Sequence, residues 1–420
     1  MTPTSPPRFL LAMLGARRHY AVPQILHRAG MLSHFVTDLT SARGLPSLLT
    51  HLPQRLLPAS LRRIAQRRPK SIPSSHITAF NGFGLEYARR LKAARTPGDR
   101  TAAFLWSGRK FTSLILEKGL LDRRRGGGTN AVYTFNSAGL ELLHAARQRG
   151  LLAVMDQTIA PKAYESYLLH LAHDRFPEWD VALAEDPLRG EYAEREKAEW
   201  DAADWIVCGS EFVRQGIVWS GGAEGKCLVV PYGTSHAHPG IEPRRRPEGR
   251  KLRVLFLGQV NLRKGIPVVY DAARSLAGKA EFRVVGPVLV PDGAREKLSQ
   301  VAEVLGSVPR SDVHRHYEWA DVFVFPSLCE GSAGVTYEAL ACGLPLITTE
   351  NSGSIVRDGE DGFIVPVMES EPVVAALERL LSEPGLLETM SRGALERAAH
   401  GTSASYQGRL VCELAGLANR

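Results

Sequence analysis

The sequence predicts an α/β protein of two domains, each a parallel sheet covered by helices, and three observations lead there. Short apolar runs that read as buried strands alternate with segments of helical periodicity along almost the whole chain, the pattern that builds parallel sheets. Residues 232–250, rich in proline, glycine and arginine, break that rhythm once and read as a linker. The length of 420 residues exceeds what one hydrophobic core usually serves.

In order along the first half, strands are expected at 9–14, 34–36, 131–135, 151–155, 205–208 and 227–230. Between them, 22–29 has a helical pattern, and 137–149 places leucines and alanines at helical spacing and closes at Gly150, a C-terminal stop signal. Beyond the linker, strands are expected at 252–258, 282–285, 322–325 and 346–348, with helical periodicity at 372–381 and 405–417. The domains so outlined are 1–240 and 241–403, followed by a terminal helix in 404–420.

Hydrophobic residues make up 44% and charged residues 23%, which excludes disordered and collagen-like classes and fits a folded soluble protein. The run 9–16 is too short for a secretory leader, is followed at once by Arg17 and Arg18, and reads as a first strand. No apolar run reaches the roughly 18 to 20 residues that span a bilayer. Cys208, Cys227, Cys329, Cys342 and Cys412 show neither CxxC spacing nor a paired histidine motif, so reduced thiols in a cytoplasmic setting are expected rather than zinc or disulfides.

Net charge is +8, unevenly distributed: residues 1–150 hold 24 Lys and Arg against 6 Asp and Glu. An anionic partner for the N-terminal half follows, whether a phosphorylated or lipid-linked acceptor, an anionic membrane or nucleic acid; a solvated basic face is the plain alternative. Within 40–75, Leu48, Leu49, Leu56, Leu57, Leu61 and Ile64 interleave with Arg55, Arg62, Arg63, Arg67, Arg68 and Lys70. That pattern fits both an amphipathic helix pressed onto a membrane and an ordinary surface helix.

The most specific chemistry lies at 325–348. After a strand ending at Pro326, a turn presents Glu330, and Gly331, Ser332, Ala333, Gly334 and Val335 start a helix that carries Glu338 about two turns in. Free N–H groups and the positive dipole end of a glycine-rich helix start favour a diphosphate. The two carboxylates are spaced to accept hydrogen bonds from hydroxyls at the two ends of a nucleotide-sugar. A second cluster, Gly258, Gln259, Arg263, Lys264 and Gly265, follows the first strand after the linker. Cations there neutralise charge growing on a diphosphate leaving group.

This pair of glutamates with seven residues between them, with 343–366 after it, resembles the retaining GT-B glycosyltransferases of family 4, also called glycosyl transferases group 1. The resemblance implies a GT-B fold, two Rossmann-like domains facing across a cleft, with the terminal helix folding back on the first domain. It implies that Glu330 contacts the transferred sugar, Glu338 the ribose, and that Lys264 with Arg263 assists departure of the nucleoside diphosphate. Gly258, Lys264 and Gly265 match the family's G-R-x-x-x-x-K-G pattern, while Gln259 stands where arginine is usual, and Arg263 is the substitute. No metal and no other cofactor is expected.

Further expected cleft residues are Gly15 and Arg17, in the loop after the first strand, and Asp156 and Gln157, at a strand end where the family often has histidine. Ser210 reads as a helix cap, and Gly233 as a point of close backbone approach to substrate. The expected partners are a nucleoside-diphosphate sugar and a glycan or lipid-linked acceptor, with peripheral contact to an anionic membrane at its cytoplasmic face and no nucleic acid. The alternatives are an epimerase or phosphorylase of the same fold, or a non-catalytic sugar- or nucleic-acid-binding protein.

Overall fold

The computed structural model describes residues 6–53, 57–122, 128–180, 186–235 and 240–417. In the N-terminal half, β1 (Phe9–Met13), β2 (Leu32–Thr37), β3 (Ile77–Ala79), β4 (Ala131–Phe135), β5 (Leu152–Gln157), β6 (Trp205–Cys208) and β7 (Cys227–Val229) form one sheet in the order β3-β2-β1-β4-β5-β6-β7. In the C-terminal half, β8 (Leu252–Leu257), β9 (Ala280–Val285), β10 (Glu303–Gly306), β11 (Val322–Phe325), β12 (Leu346–Thr348) and β13 (Gly362–Ile364) form a second, ordered β10-β9-β8-β11-β12-β13. Every strand pair is parallel. The two-domain Rossmann-like class expected from the sequence is the one observed. Its cause is visible in the central strands, where every residue of β1, β4 and β11 is buried, as a sheet covered on both faces requires.

Each sheet reverses its strand order once, between β1 and β4 and between β8 and β11. Loops leaving the carboxyl ends of neighbouring strands diverge at such a point and open a crevice between them. The loop that carries Gly15 and Arg17 leaves β1, and the loops that carry Lys264 and Glu330 leave β8 and β11.

Strands β3, β10 and β13 have no counterpart among the expected elements. At three or four residues they are too short for periodicity to register, and β10 lies at a sheet edge with Glu303 exposed. Helices Asn81–Ala93 and Pro97–Glu117 were also not read. The second opens with a capping box in which Thr96 and Asp99 satisfy each other's backbone N–H groups, a start signal present in the sequence.

The basic segment 40–75 holds two short helical pieces, Leu45–His51 and Ala59–Ala65, rather than one helix. Leu57 is buried whereas Leu48 and Leu61 are exposed. Leu56 and Arg55 lie outside the described residues. Among the described residues no helix is long and apolar enough to cross a membrane.

Two of the linker arginines are bound to the C-terminal domain, while Arg245 is largely exposed. Arg244 donates to the carbonyls of Tyr317, Glu318 and Cys342, and Arg246 to that of Leu381. The terminal helix Ser403–Gly416 returns to the start of this segment, with Arg409 donating to the carbonyls of Pro231 and Tyr232. A Cβ on Gly233 would overlap the Thr402 carbonyl, so the close approach expected at this glycine is to the chain itself rather than to a substrate.

Candidate active site

The C-terminal crevice brings together residues far apart in sequence. After β8, Asn261 caps the short turn Leu262–Lys264, accepting from the Lys264 backbone N–H at 3.1 Å. Gly265 then turns with φ 72°, where a Cβ would overlap the Pro326 carbonyl. Only glycine permits this left-handed approach, and it seats the Lys264 loop against the loop after β11.

There the Lys264 ammonium hydrogen-bonds to Glu330 Oε1, which also accepts from Ser327 Oγ at 2.9 Å. Both side chains are 13% exposed. Burial, reinforced by the like charge of Arg263, pushes the Lys264 ammonium below the ordinary lysine value despite the pull of Glu330. Burial also works against the Arg263 charge, but the carboxylates of Glu165 and Glu330 hold its guanidinium above its usual value. Its Nε lies 3.3 Å from Glu165 Oε1, and Glu165 belongs to helix Lys162–Arg175 of the other domain.

The helix after the glycine stretch begins at Gly334 and runs to Ala341. Residues 331–333 form a bend ahead of it, because Ala333 donates its N–H to Ser352 and Ser332 Oγ donates to the Gly353 carbonyl at 3.1 Å. Glu338 is therefore about one turn inside the helix rather than two. Its Oε2 accepts from the Tyr317 hydroxyl at 3.1 Å. The N–H groups of Gly334 and Val335 belong to the unpaired first turn that suits an anion.

Gly331 marks where the domains meet. A Cβ there would overlap the Thr158 carbonyl, and Ser210 Oγ donates to the Gly331 carbonyl at 2.6 Å while capping its own helix. Sequence reading assigned Ser210 only the cap. It missed Glu165 altogether, since nothing local to that helix signals a partner across the cleft.

Of the N-terminal residues, Gly15 donates its N–H to Asp38 at 3.0 Å. Arg17 donates to Asn136 Oδ1 and Thr158 Oγ1 at 3.0 and 2.7 Å, joining the ends of β4 and β5 beside the Gly331 contact. Asp156 is buried at the end of β5, accepting from Tyr133 at 2.7 Å. Gln157 does not join this group. Successive strand residues point to opposite faces, and its amide is fully occupied behind the sheet by Ile159, Glu196 and Trp200. Gln259 is exposed and touches Asn261. Among the described residues no cluster of three or more His, Cys, Asp or Glu has the arrangement of a metal site.

Two facing Rossmann-like domains bring a cationic pair and a glycine-rich helix start together in one cleft. Residues 251–383 match the family model described as glycosyl transferases group 1. The chain is 30% identical over 278 residues, 57% of its length and 59% of the relative's, to D-inositol 3-phosphate glycosyltransferase of Streptomyces bingchenggensis. It spans about half the length of the curated relatives it matches. Among solved structures it resembles sucrose-phosphate synthase of Thermosynechococcus elongatus at 17% identity, TM-score 0.61, covering 97% of this chain and 99% of the other. It also resembles Anabaena HepE in complex with UDP-glucose at 12% identity, TM-score 0.56, covering 97% and 98%. At these identities the structures speak for the fold.

Proposed function

We propose that the chain is a glycosyltransferase that moves a sugar from a nucleoside-diphosphate sugar to a glycan or lipid-linked acceptor with retention of configuration. The observation that carries the proposal is the meeting of Lys264 with Glu330 at the reversal point of the second sheet, beside Arg263 and the start of helix Gly334–Ala341. A diphosphate competes with the Glu330 carboxylate for Lys264 and takes the N–H groups of the helix start. Glu330, so released, accepts from hydroxyls of the sugar, and Glu338 from those of the ribose. Lys264 and Arg263 stabilise the departing diphosphate as its charge grows. With two cations already placed, the reading needs no metal, and activity in the presence of a chelator is expected to be unchanged.

The match of residues 251–383 to glycosyl transferases group 1 and the UDP-glucose bound by a protein of like fold support a nucleotide-sugar donor. A thermal-shift screen of nucleotide-sugars tests the reading. At least one is expected to raise the melting temperature of the native chain and not that of Lys264→Ala. If none does, the assignment is wrong. Proton NMR of the product's anomeric centre tests retention.

A further inference from the structure

Helix Lys162–Arg175 and the turn Pro177–Trp179 after it belong to the N-terminal domain but are tied to the C-terminal one at both ends. Near the helix start, Glu165 Oε1 lies 3.3 Å from Arg263 Nε. Past its end, the Trp179 ring centre lies 5.1 Å from that of Tyr270, and Glu178 pairs with Lys297 at 2.8 Å. Arg263 immediately precedes Lys264, and Tyr270 belongs to helix Ile266–Ser275, which begins just after it. One element of the N-terminal domain therefore grips the Lys264 segment on either side.

The two ion pairs across the domains differ in kind. Glu178 and Lys297 are 57% and 46% exposed, whereas Glu165 and Arg263 are 16% and 24% exposed. A surface pair contributes little, while a partly buried one escapes most screening and constrains its members. Glu165 is itself fixed. The Lys162 ammonium lies 3.3 Å from its Oε2, and the Lys162 N–H anchors the helix start by donating to the buried Glu196 at 2.7 Å.

Arg263 Nη2 is buried without a hydrogen-bond partner among the described residues, a state that buried polar atoms rarely keep without a ligand. The Cys329 thiol beside the guanidinium does not balance its charge, because burial pushes that thiol up to about 12 and keeps it neutral. The carboxylates that act on Arg263 are Glu165 and Glu330, and they pull from opposite domains. With Glu165 removed, Glu330 remains, and Arg263 joins Lys264 on the very carboxylate that the sugar must use.

We infer that Glu165 is a positioning residue for the donor site: it holds Arg263 away from Glu330 by the Nε edge and leaves Nη2 to a diphosphate. The inference rests on the glycosyl-transfer reading and adds that one cation of the donor site is set in place by the opposite domain.

Isothermal titration of the full chain with UDP, GDP and ADP tests it, each variant first checked for a native melting transition. At least one nucleotide is expected to bind the native chain. Arg263→Ala should weaken that binding about tenfold or more, the effect of losing a hydrogen bond to a charged group. Glu165→Gln should weaken it about fivefold or more and add nothing to Arg263→Ala, because residues acting as one unit are not additive. The loss is expected even though the substitution makes the site more positive. Glu178→Gln, at the exposed pair, should bind like the native chain. Where Glu165→Gln does not fold, Glu165→Asp, with its charge drawn back by one methylene, should show the same loss in smaller measure. Unchanged or tighter binding in the Glu165 variant used, a loss that adds to that of Arg263→Ala, or an equal loss in Glu178→Gln would show that Glu165 only bridges the domains, and the glycosyl-transfer reading would stand. If neither these nucleotides nor any nucleotide-sugar binds the native chain, both fail.

Discussion

The two crevices are built by the same rule and differ in how their residues are distributed along the chain. In the C-terminal domain the site comes from two stretches, 258–265 and 326–338, each leaving a strand beside the reversal point, and their charges are already joined through Lys264 and Glu330. In the N-terminal domain the cavity draws on the ends of three strands, a strained turn, the linker and the last helix, and leaves polar atoms unpaired. A phosphate-handling site needs local backbone N–H groups and a nearby cation, which short motifs supply. A cavity walled by side chains alone needs only residues that converge in space.

The largest effect that separates the two sites is expected at Lys264. Lys264→Ala should lower the transfer rate about 10³-fold, the usual cost of removing a group that stabilises transition-state charge, measured as release of nucleoside diphosphate. A loss below tenfold would mean that the C-terminal pair is a structural ion bridge, and the contrast drawn above would lapse.

Asp156 tests the other site through stability. Its carboxyl titrates near 6 in the folded chain, above its ordinary value of 3.8, so the native state holds its proton more tightly than the unfolded chain does. Stability from this group is present below about pH 4 and is lost as pH rises toward 6, amounting to about 3 kcal/mol. Urea titrations of wild type and Asp156→Asn between pH 4 and 7 should diverge in that direction, the variant gaining on wild type as pH rises. Parallel curves would show that Asp156 is not held as a costly buried charge.

Legibility followed the same division. Lys264 and Glu330 sit in contiguous stretches whose spacing has a physical meaning, and their meeting was foreseeable. Asp156 and Arg17 were found because they end a strand or follow one. Gln157 was placed beside Asp156 although strand alternation sends it to the opposite face, behind the sheet with Trp200. Arg18, Tyr232 and Tyr406 could not be gathered from sequence, because two interdomain crossings bring them together. The expected start of the Glu338 helix was early because hydrogen bonds from Ser332 and Ala333 to Gly353 and Ser352 are tertiary and leave no local mark.

The two sites touch at Gly331, whose neighbour across the cleft is Thr158, itself held by Arg17. Gly331→Ala should force the domains apart and cost about 10²-fold in rate, the penalty of a displacement near 1 Å. Gly293→Ala, in helix Asp292–Val301 where an added Cβ meets nothing within 4 Å, should cost far less. X-ray scattering would register an opened shape for the first variant only, and equal rates for the two would break the link between domain contact and catalysis.

The smallest effect concerns the basic face, where the N-terminal half differs most from the other in charge. Leu45, Leu48 and Leu52 are 83%, 62% and 50% exposed, and Arg62, Arg63, Arg68 and Lys70 are exposed close by in the chain. Apolar side chains rimmed by cations suit the boundary of an anionic bilayer. Each basic residue near such a surface contributes about 1 kcal/mol, so Arg62→Glu with Arg63→Glu should weaken flotation with anionic liposomes by about tenfold or more. Salt should do the same by shortening the reach of the charges. Turnover of a water-soluble acceptor should change far less, because Arg62 and Arg63 are exposed and Arg62 donates to the Leu57 carbonyl of its own segment. Flotation that is indifferent to both charge reversal and salt would leave the leucines as ordinary surface and return the basic excess to solvent.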